Sequence, residues 1–175
     1  MQHEHAVGML APARIGDESN QQWADLGCGS GTFTLALADL LPKESTIYAM
    51  DMSSAALKSI PAKHNAIAIA KTVGNFVTDT LPAPAFDGIL MANALHYVKD
   101  QVAFVEKAMT YLKPSGGVLI VEYDTNAANQ WVPYPLTFIR LKELFTAAGF
   151  SEVNKLGERP SAFGRAMLYA AQIIR

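Results

Sequence analysis

Cysteine is almost missing from this 175-residue chain, and the lone Cys28 excludes both an intramolecular disulfide framework and a cysteine-cluster zinc site. A reducing, cytoplasmic setting is the expectation. Charge is scarce too: Asp, Glu, Lys and Arg make up 17% of the residues, against roughly 25% in ordinary soluble domains. The apolar share is 50%, too high for a disordered chain, and it leaves surface for a homodimer contact or the mouth of an apolar substrate site. No dense Lys/Arg run occurs and the net charge is -2, so the footprint of a protein that grips nucleic acid phosphates is lacking. No apolar stretch approaches the roughly 18 residues that cross a bilayer, and Met1-Gln2-His3-Glu4-His5 lacks the basic start of a secretory signal. The expected partner is a small molecule, with no nucleic acid and no membrane.

What is present is alternation. Apolar runs bounded by turn residues alternate with helical patterns, the signature of a parallel sheet with crossover helices. Strands are expected over 23–26, 46–50, 86–91 and 118–122, with helices over 32–41, 53–62, 100–112 and 135–148. Pro42 closes the first helix, Ser53 or Ser54 caps the second, and Gly149 follows the last as the residue that terminates it. The alternating Ile and Ala of 66–73 suit a strand or a short helix; a strand ending by Phe76 is the preferred reading. The turn Lys113-Pro114-Ser115-Gly116-Gly117 leads into the fifth strand, and the tail from Phe150 reads as two more. This predicts an α/β three-layer sandwich with a mostly parallel seven-stranded sheet whose last strand is antiparallel. One domain is expected over 1–175.

Chemistry concentrates where the first strand turns into a helix. Asp25-x-Gly27-x-Gly29-x-Gly31 lets backbone approach a ligand while the helix N–H groups point outward. A dinucleotide fingerprint would need a glycine at position 32, which is Thr32; no G-x-x-x-x-G-K phosphate loop occurs, and Gly29-Ser30-Gly31 is not a nucleophile elbow. Asp51 ends the second strand 20 residues beyond Gly31, where a carboxylate can accept from both ribose hydroxyls. Glycine turn and acid together imply an adenosine-containing ligand.

The residues Asp25-Leu26-Gly27-Cys28-Gly29-Ser30-Gly31 and Tyr48-Ala49-Met50-Asp51-Met52-Ser53 resemble the first two motifs of the class I methyltransferases. The resemblance continues through Phe86-Asp87-Gly88-Ile89-Leu90-Met91-Ala92-Asn93 and Leu112-Lys113-Pro114-Ser115-Gly116-Gly117, covering roughly 20–125 in the right order. It implies S-adenosyl-L-methionine as cofactor, bound within 21–125, with 1–20 an N-terminal segment and 126–175 a helix and strand pair. It further implies that the backbone of Gly27, Cys28, Gly29 and Gly31 lies against the methionine part, that Asp25 helps hold its amino group, and that Met52 lies against the adenine. Asn75, before Phe76, stands where the family often has an acid that contacts the adenine amine; Asp79 is the alternative.

Asn93-Ala94-Leu95-His96-Tyr97 follows the fourth strand, where an open parallel sheet binds ligands, and so should border the transferred methyl group. His96 reads either as a base or as a hydrogen-bonded structural residue, with Tyr97 and Asp124 the other candidates for deprotonating an acceptor. Glu122, Asp124 and Asn126 resemble the acid-plus-amide metal sites of catechol-type methyltransferases, but Asn93 is neutral where those have a second acid, so no metal is expected. His3-Glu4-His5 reads as a frayed terminus. Trp131-Val132-Pro133-Tyr134-Pro135 suits a substrate wall or a plain loop leading into the last helix. The rival readings are a nicotinamide-dependent oxidoreductase and a cofactor-binding regulatory protein without catalysis.

Overall fold

The computed structural model describes residues 1–81, 85–161 and 166–175. Its strands are β1 (Gln22–Leu26), β2 (Thr46–Asp51), β3 (Lys63–His64), β4 (Ile67–Val73), β5 (Phe86–Ala92), β6 (Leu112–Asp124), β7 (Glu152–Pro160) and β8 (Met167–Ile174). They form one sheet in the order β3-β4-β2-β1-β5-β6-β8-β7. The run from β4 to β6 is parallel, while β8 lies antiparallel between β6 and β7. This is the expected sheet with eight strands in place of seven. The extra strand is β3, which pairs antiparallel with β4 across a tight turn in which Asn65 takes φ 52, a left-handed geometry that asparagine tolerates. Residues 162–165 of the tail lie outside the described residues.

Both faces of the sheet are covered, so its central strands alternate between two apolar layers. Ile89 and Met91 of β5 and Val118 and Ile120 of β6 face one cluster, together with Phe104 and Val105 of helix α4 (Gln101–Met109) and Leu141 and Phe145 of helix α5 (Phe138–Ala147). Leu90, Leu119 and Val121 face the other, with Leu37 of helix α2 (Thr32–Leu40) and Ala6, Met9 and Leu10 of helix α1 (His3–Leu10). The frayed terminus expected at His3-Glu4-His5 is instead the first turn of α1. Ala6, Met9 and Leu10 recur at helical spacing, and burying that stripe against α2 supplies what the local propensity does not.

Other differences have local causes. Ser53 caps helix α3 (Ser54–Leu57) by accepting from Ala56 N at 3.2 Å, but α3 stops well short of residue 62 because Pro61 cannot donate and restricts the residue before it. Residues 67–73 form a strand because Ile67 and Ile69 are buried while Ala68 and Ala70 are exposed. The turn expected at Lys113 to Gly117 is instead part of β6, which already begins at Leu112: Phe86 pairs with Leu112 and Gly88 with Gly117, so the strand absorbs the extra residues as a bulge.

Gly88 of β5 lies opposite Trp23 of β1, and a methyl group added there would overlap the Trp23 ring, itself 5% exposed. Gly88→Ala should therefore cost about 1–3 kcal/mol through overpacking and lower the melting temperature by several degrees. An unchanged thermal melt would show that the ring has room to move.

Candidate functional site

The carboxyl ends of β1, β2, β5 and β6 open on a cleft of about 900 Å³. Its floor is the turn after β1. Gly27 N and Cys28 N donate to Met50 O at 2.8 and 3.2 Å, Gly29 N donates to Asp51 Oδ2 at 2.8 Å, and Ser53 N donates to Asp51 Oδ1 at 2.8 Å. The end of β2 thus clamps the glycine turn. Gly27, Gly29 and Gly31 take φ of 76, 54 and 88°, but only two of them are also packed. A Cβ on Gly27 would stand 2.7 Å from Ala94 Cβ and one on Gly31 2.7 Å from Ile60 Cγ1, whereas one on Gly29 would meet nothing within 4 Å. Gly29 presents bare backbone to the cleft, and α2 begins directly from Gly31 without a capping side chain, leaving N–H groups free at its start.

Two buried oxygens aim at this cleft without a partner among the described residues: Asp25 Oδ1 and Asn93 Oδ1. Asp25 is 1% exposed, and its other oxygen accepts from Thr34 Oγ1 at 2.6 Å. Burial pushes its carboxyl up to about 7; the Thr34 bond opposes that, and the negative charge of Asp51 adds to it. Asn93 holds φ 54 and donates its backbone N–H to Val121 O at 2.8 Å, so the chain leaving β5 is tied across to β6. Burial, with Asp25 and Asp51 nearby, raises the Cys28 thiol far above its ordinary range, which removes it as a nucleophile.

A second cavity of about 750 Å³ adjoins the first, and Asn93, Tyr97 and Tyr123 belong to the walls of both. Trp131, Val132 and His96 line the second alone. His96 sits in a single turn of 3-10 helix, Leu95–Tyr97, and is 2% exposed. Glu122, fully buried at the end of β6, accepts from His96 N at 3.1 Å and lies 2.6 Å from His96 Nδ1. With Nδ1 engaged, Nε2 is the ring nitrogen left for a ligand.

The geometry has counterparts. A family model described as "Methyltransferase domain" matches residues 24–119, more than half the chain. The chain belongs to the methyltransferase domain family. It is 25% identical over 112 residues to a demethylmenaquinone methyltransferase from Geobacillus sp. (strain WCH70), a match covering 62% of this chain and 48% of that protein. The chain spans about half the length of that curated relative. The plantazolicin methyltransferase BpumL, solved in complex with SAH, superposes with a TM-score of 0.68 at 14% identity, over 99% of this chain and 83% of its own. The YcgJ protein from Bacillus subtilis does so with a TM-score of 0.73 at 13% identity, over 99% of both chains. The fold is that of the class I S-adenosylmethionine-dependent methyltransferases, and the orphaned acceptors Asp25 Oδ1 and Asn93 Oδ1 beside bare Gly29 backbone fit S-adenosylmethionine, a ligand rich in donors and cationic groups.

Within this methyltransferase fold, Asp25, Gly27, Cys28, Gly29, Asp51, Asn93 and Tyr97 line the first cleft. Gly31 packs on Ile60 and shapes the turn from behind. Phe76 backs Gly27 and meets Phe104 edge-on at 5.5 Å. Met52 follows Asp51 and is 71% exposed. Asn75 Oδ1 accepts from Val77 N at 2.9 Å, while Asp79 Oδ2 accepts from Asn75 N at 2.9 Å, so both adenine candidates are engaged in the turn after β4. Asp124 faces away from the cavities: its Oδ1 accepts from Phe138 N at 3.1 Å at the start of α5, and Lys155 Nζ lies 3.7 Å from Oδ2. Sequence reasoning missed Glu122 as the partner of His96. Since Ala92, the last residue of β5, pairs with Val121 in parallel register, the next residue of β6, Glu122, lies level with the turn just past β5. It also missed Met1, Gln2 and His5 of the N-terminus, which wall the first cleft.

The raised carboxyl of Asp25 gives a signed pH dependence. In the unfolded chain it ionises near 3.8, whereas the folded protein keeps its proton until about 7, so over that window rising pH favours unfolding by up to about 1.4 kcal/mol per unit. Asp25→Asn should remove this component: its stability relative to the wild type, from urea titrations without ligand, should grow from pH 4 to 7 and then level off. A pH-independent difference would mean that Asp25 ionises normally.

Proposed function

We propose that this chain transfers the methyl group of S-adenosylmethionine to a small-molecule acceptor held in the second cavity. The observation that supports this reading is the shared wall of Asn93, Tyr97 and Tyr123, across which the first cleft adjoins an aromatic pocket having its own buried His–Glu pair. The donor, when bound, supplies a methyl group on a positively charged sulfonium. Asp51 would accept from the ribose hydroxyls through the lone pairs left on its two oxygens, and Asp25 Oδ1 from the amino group. Gly27 to Gly31 would lie along the methionine part, Met52 and the Asn75–Phe76 turn beside the adenine, and Asn93 next to the reacting groups.

Methyl transfer from sulfur neutralises charge, so the protein's main contribution is alignment and exclusion of water. A cavity of about 750 Å³ walled by Tyr97, Tyr123, Trp131 and Val132 suits a flat or apolar small molecule. His96 Nε2 takes the proton that an acceptor hydroxyl or amine releases, and Glu122 stabilises the resulting imidazolium while fixing the ring. Tyr97, at 4.4 Å between ring centres, packs against that imidazole, and Asp124 acts from outside by holding α5 in place. The lone Cys28 thiol suits a reducing cytoplasm.

Asp51→Ala should weaken S-adenosylmethionine binding in calorimetry by roughly 10- to 100-fold, from about 1.5–3 kcal/mol for bonds to a charged acceptor. Unchanged affinity would remove Asp51 from the site. His96→Gln and Glu122→Gln should leave donor affinity within about twofold yet cut formation of the demethylated cofactor on a panel of small hydroxylated aromatics, quinols and amines by about 100-fold or more. If donor binds tightly but no compound of the panel is methylated by the wild type, the catalytic reading fails in favour of a binding protein. Trp131, 70% exposed on the cavity wall, provides a fluorescence signal for acceptor binding that buried Trp23 does not obscure.

A further inference from the structure

Away from both cavities, three side chains from separated parts of the sequence converge on one point: His3 of α1, Asp39 of the last turn of α2, and His64 of β3. His3 Nε2 lies 2.6 Å from Asp39 Oδ2 and His64 Nε2 lies 2.7 Å from Asp39 Oδ1, so each ring faces its own oxygen of one carboxylate. Asn65 Nδ2 donates to Asp39 Oδ1 at 2.9 Å and holds the carboxylate in orientation. We propose that His3, Asp39 and His64 form a binding site for a divalent first-row transition-metal ion of the zinc type.

Two imidazole nitrogens and a carboxylate oxygen are the donor set such ions prefer, and hard ions such as magnesium or calcium would take oxygens alone. The three ligand atoms lie within 4.8 Å of one another. Tetrahedral coordination at about 2.0–2.2 Å needs them about 3.4 Å apart, so small side-chain rotations suffice. The rings are T-shaped to each other, with centres 6.2 Å apart, which leaves their nitrogens free to converge. Each neutral ring binds by shifting its proton from Nε2 to Nδ1; no redox step or other reactant is involved. Side-chain exposures of 45, 27 and 28% for His3, Asp39 and His64 leave an open side for water to complete the shell. Asn65 supplies the outer support that metal-bound carboxylates usually have. The ion would join α1 to α2 and β3, and His5 of α1, with Gln2 just before the helix, walls the first cleft.

The test is titration of chelator-treated full-length protein with zinc chloride by calorimetry, with cobalt chloride absorption as an independent spectroscopic reading. The expected result is one ion per chain at micromolar or tighter affinity and a visible cobalt spectrum of low coordination number. Zinc should also raise the melting temperature by several degrees. Asp39→Asn and His64→Gln, both at partly exposed positions, should each weaken binding at least tenfold and abolish the melting shift, while His5→Gln should keep both. Binding of equal strength in Asp39→Asn and His64→Gln overturns the site. Absence of binding at millimolar zinc does so too, leaving a hydrogen-bonded triad, and loss in His5→Gln in place of His64→Gln would move the ligands to the N-terminal turn alone.

Discussion

Both oxygens of Asp51 are held by backbone, one by Gly29 N and the other by Ser53 N, each at 2.8 Å. Around that clamp the rest of the donor side is built. Without it, the turn at Gly27 to Gly31 would be a flexible run of glycines, since glycine loses more freedom on ordering than any other residue. With it, three positive φ angles are fixed, α2 starts at a defined place, and its free N–H groups point where a ligand can use them. The carboxylate therefore serves the empty protein as well as any ligand: it orders the loop first, and its remaining lone pairs stay available.

A second consequence is electrostatic. Asp25 and Asp51 lie in one cleft, which Arg159 also lines, and Asp25 is buried enough, with Asp51 adding to the effect, that its negative form is disfavoured. Leaving a buried carboxyl oxygen unpartnered costs stability. A cationic group beside Asp25 would regain what burial withholds. The acids Asp25 and Asp51 at this glycine turn distinguish it from a phosphate-binding loop, with which it shares backbone geometry.

The clamp and its sheet were readable in the sequence because their signals are local. A glycine needing positive φ, an acid ending a strand, and a proline ending a helix each act within a few residues, and Gly27, Asp51 and Pro42 all stand where such signals place them. What escaped depends on contacts between distant segments. Glu122 acquires meaning only when β6 lies beside β5 and its carboxylate reaches His96, 26 residues away. Asp124 looked like a site acid by position, yet at the last residue of β6 its Oδ1 accepts from Phe138 N at the start of α5, a contact between segments 14 residues apart. The extra strand β3 and the ordered α1 were illegible for the same reason, since a two-residue pairing and an eight-residue helix are too short to form without the neighbours they bury against.

Alpha-helix α1 then matters more than its length suggests. One side of its first turn lies against the first cleft through His5, with Gln2 just before it, and the adjoining side reaches Asp39 through His3. Since α2 runs from the glycine turn at its start to Asp39 at its end, both ends of one rigid helix touch α1-linked contacts. A short terminal helix frays readily, and every contact that holds its first turn reduces the disorder a ligand in the cleft must remove on binding. The His3–Asp39–His64 cluster is placed to supply that restraint from outside the cleft, since none of the three lines it.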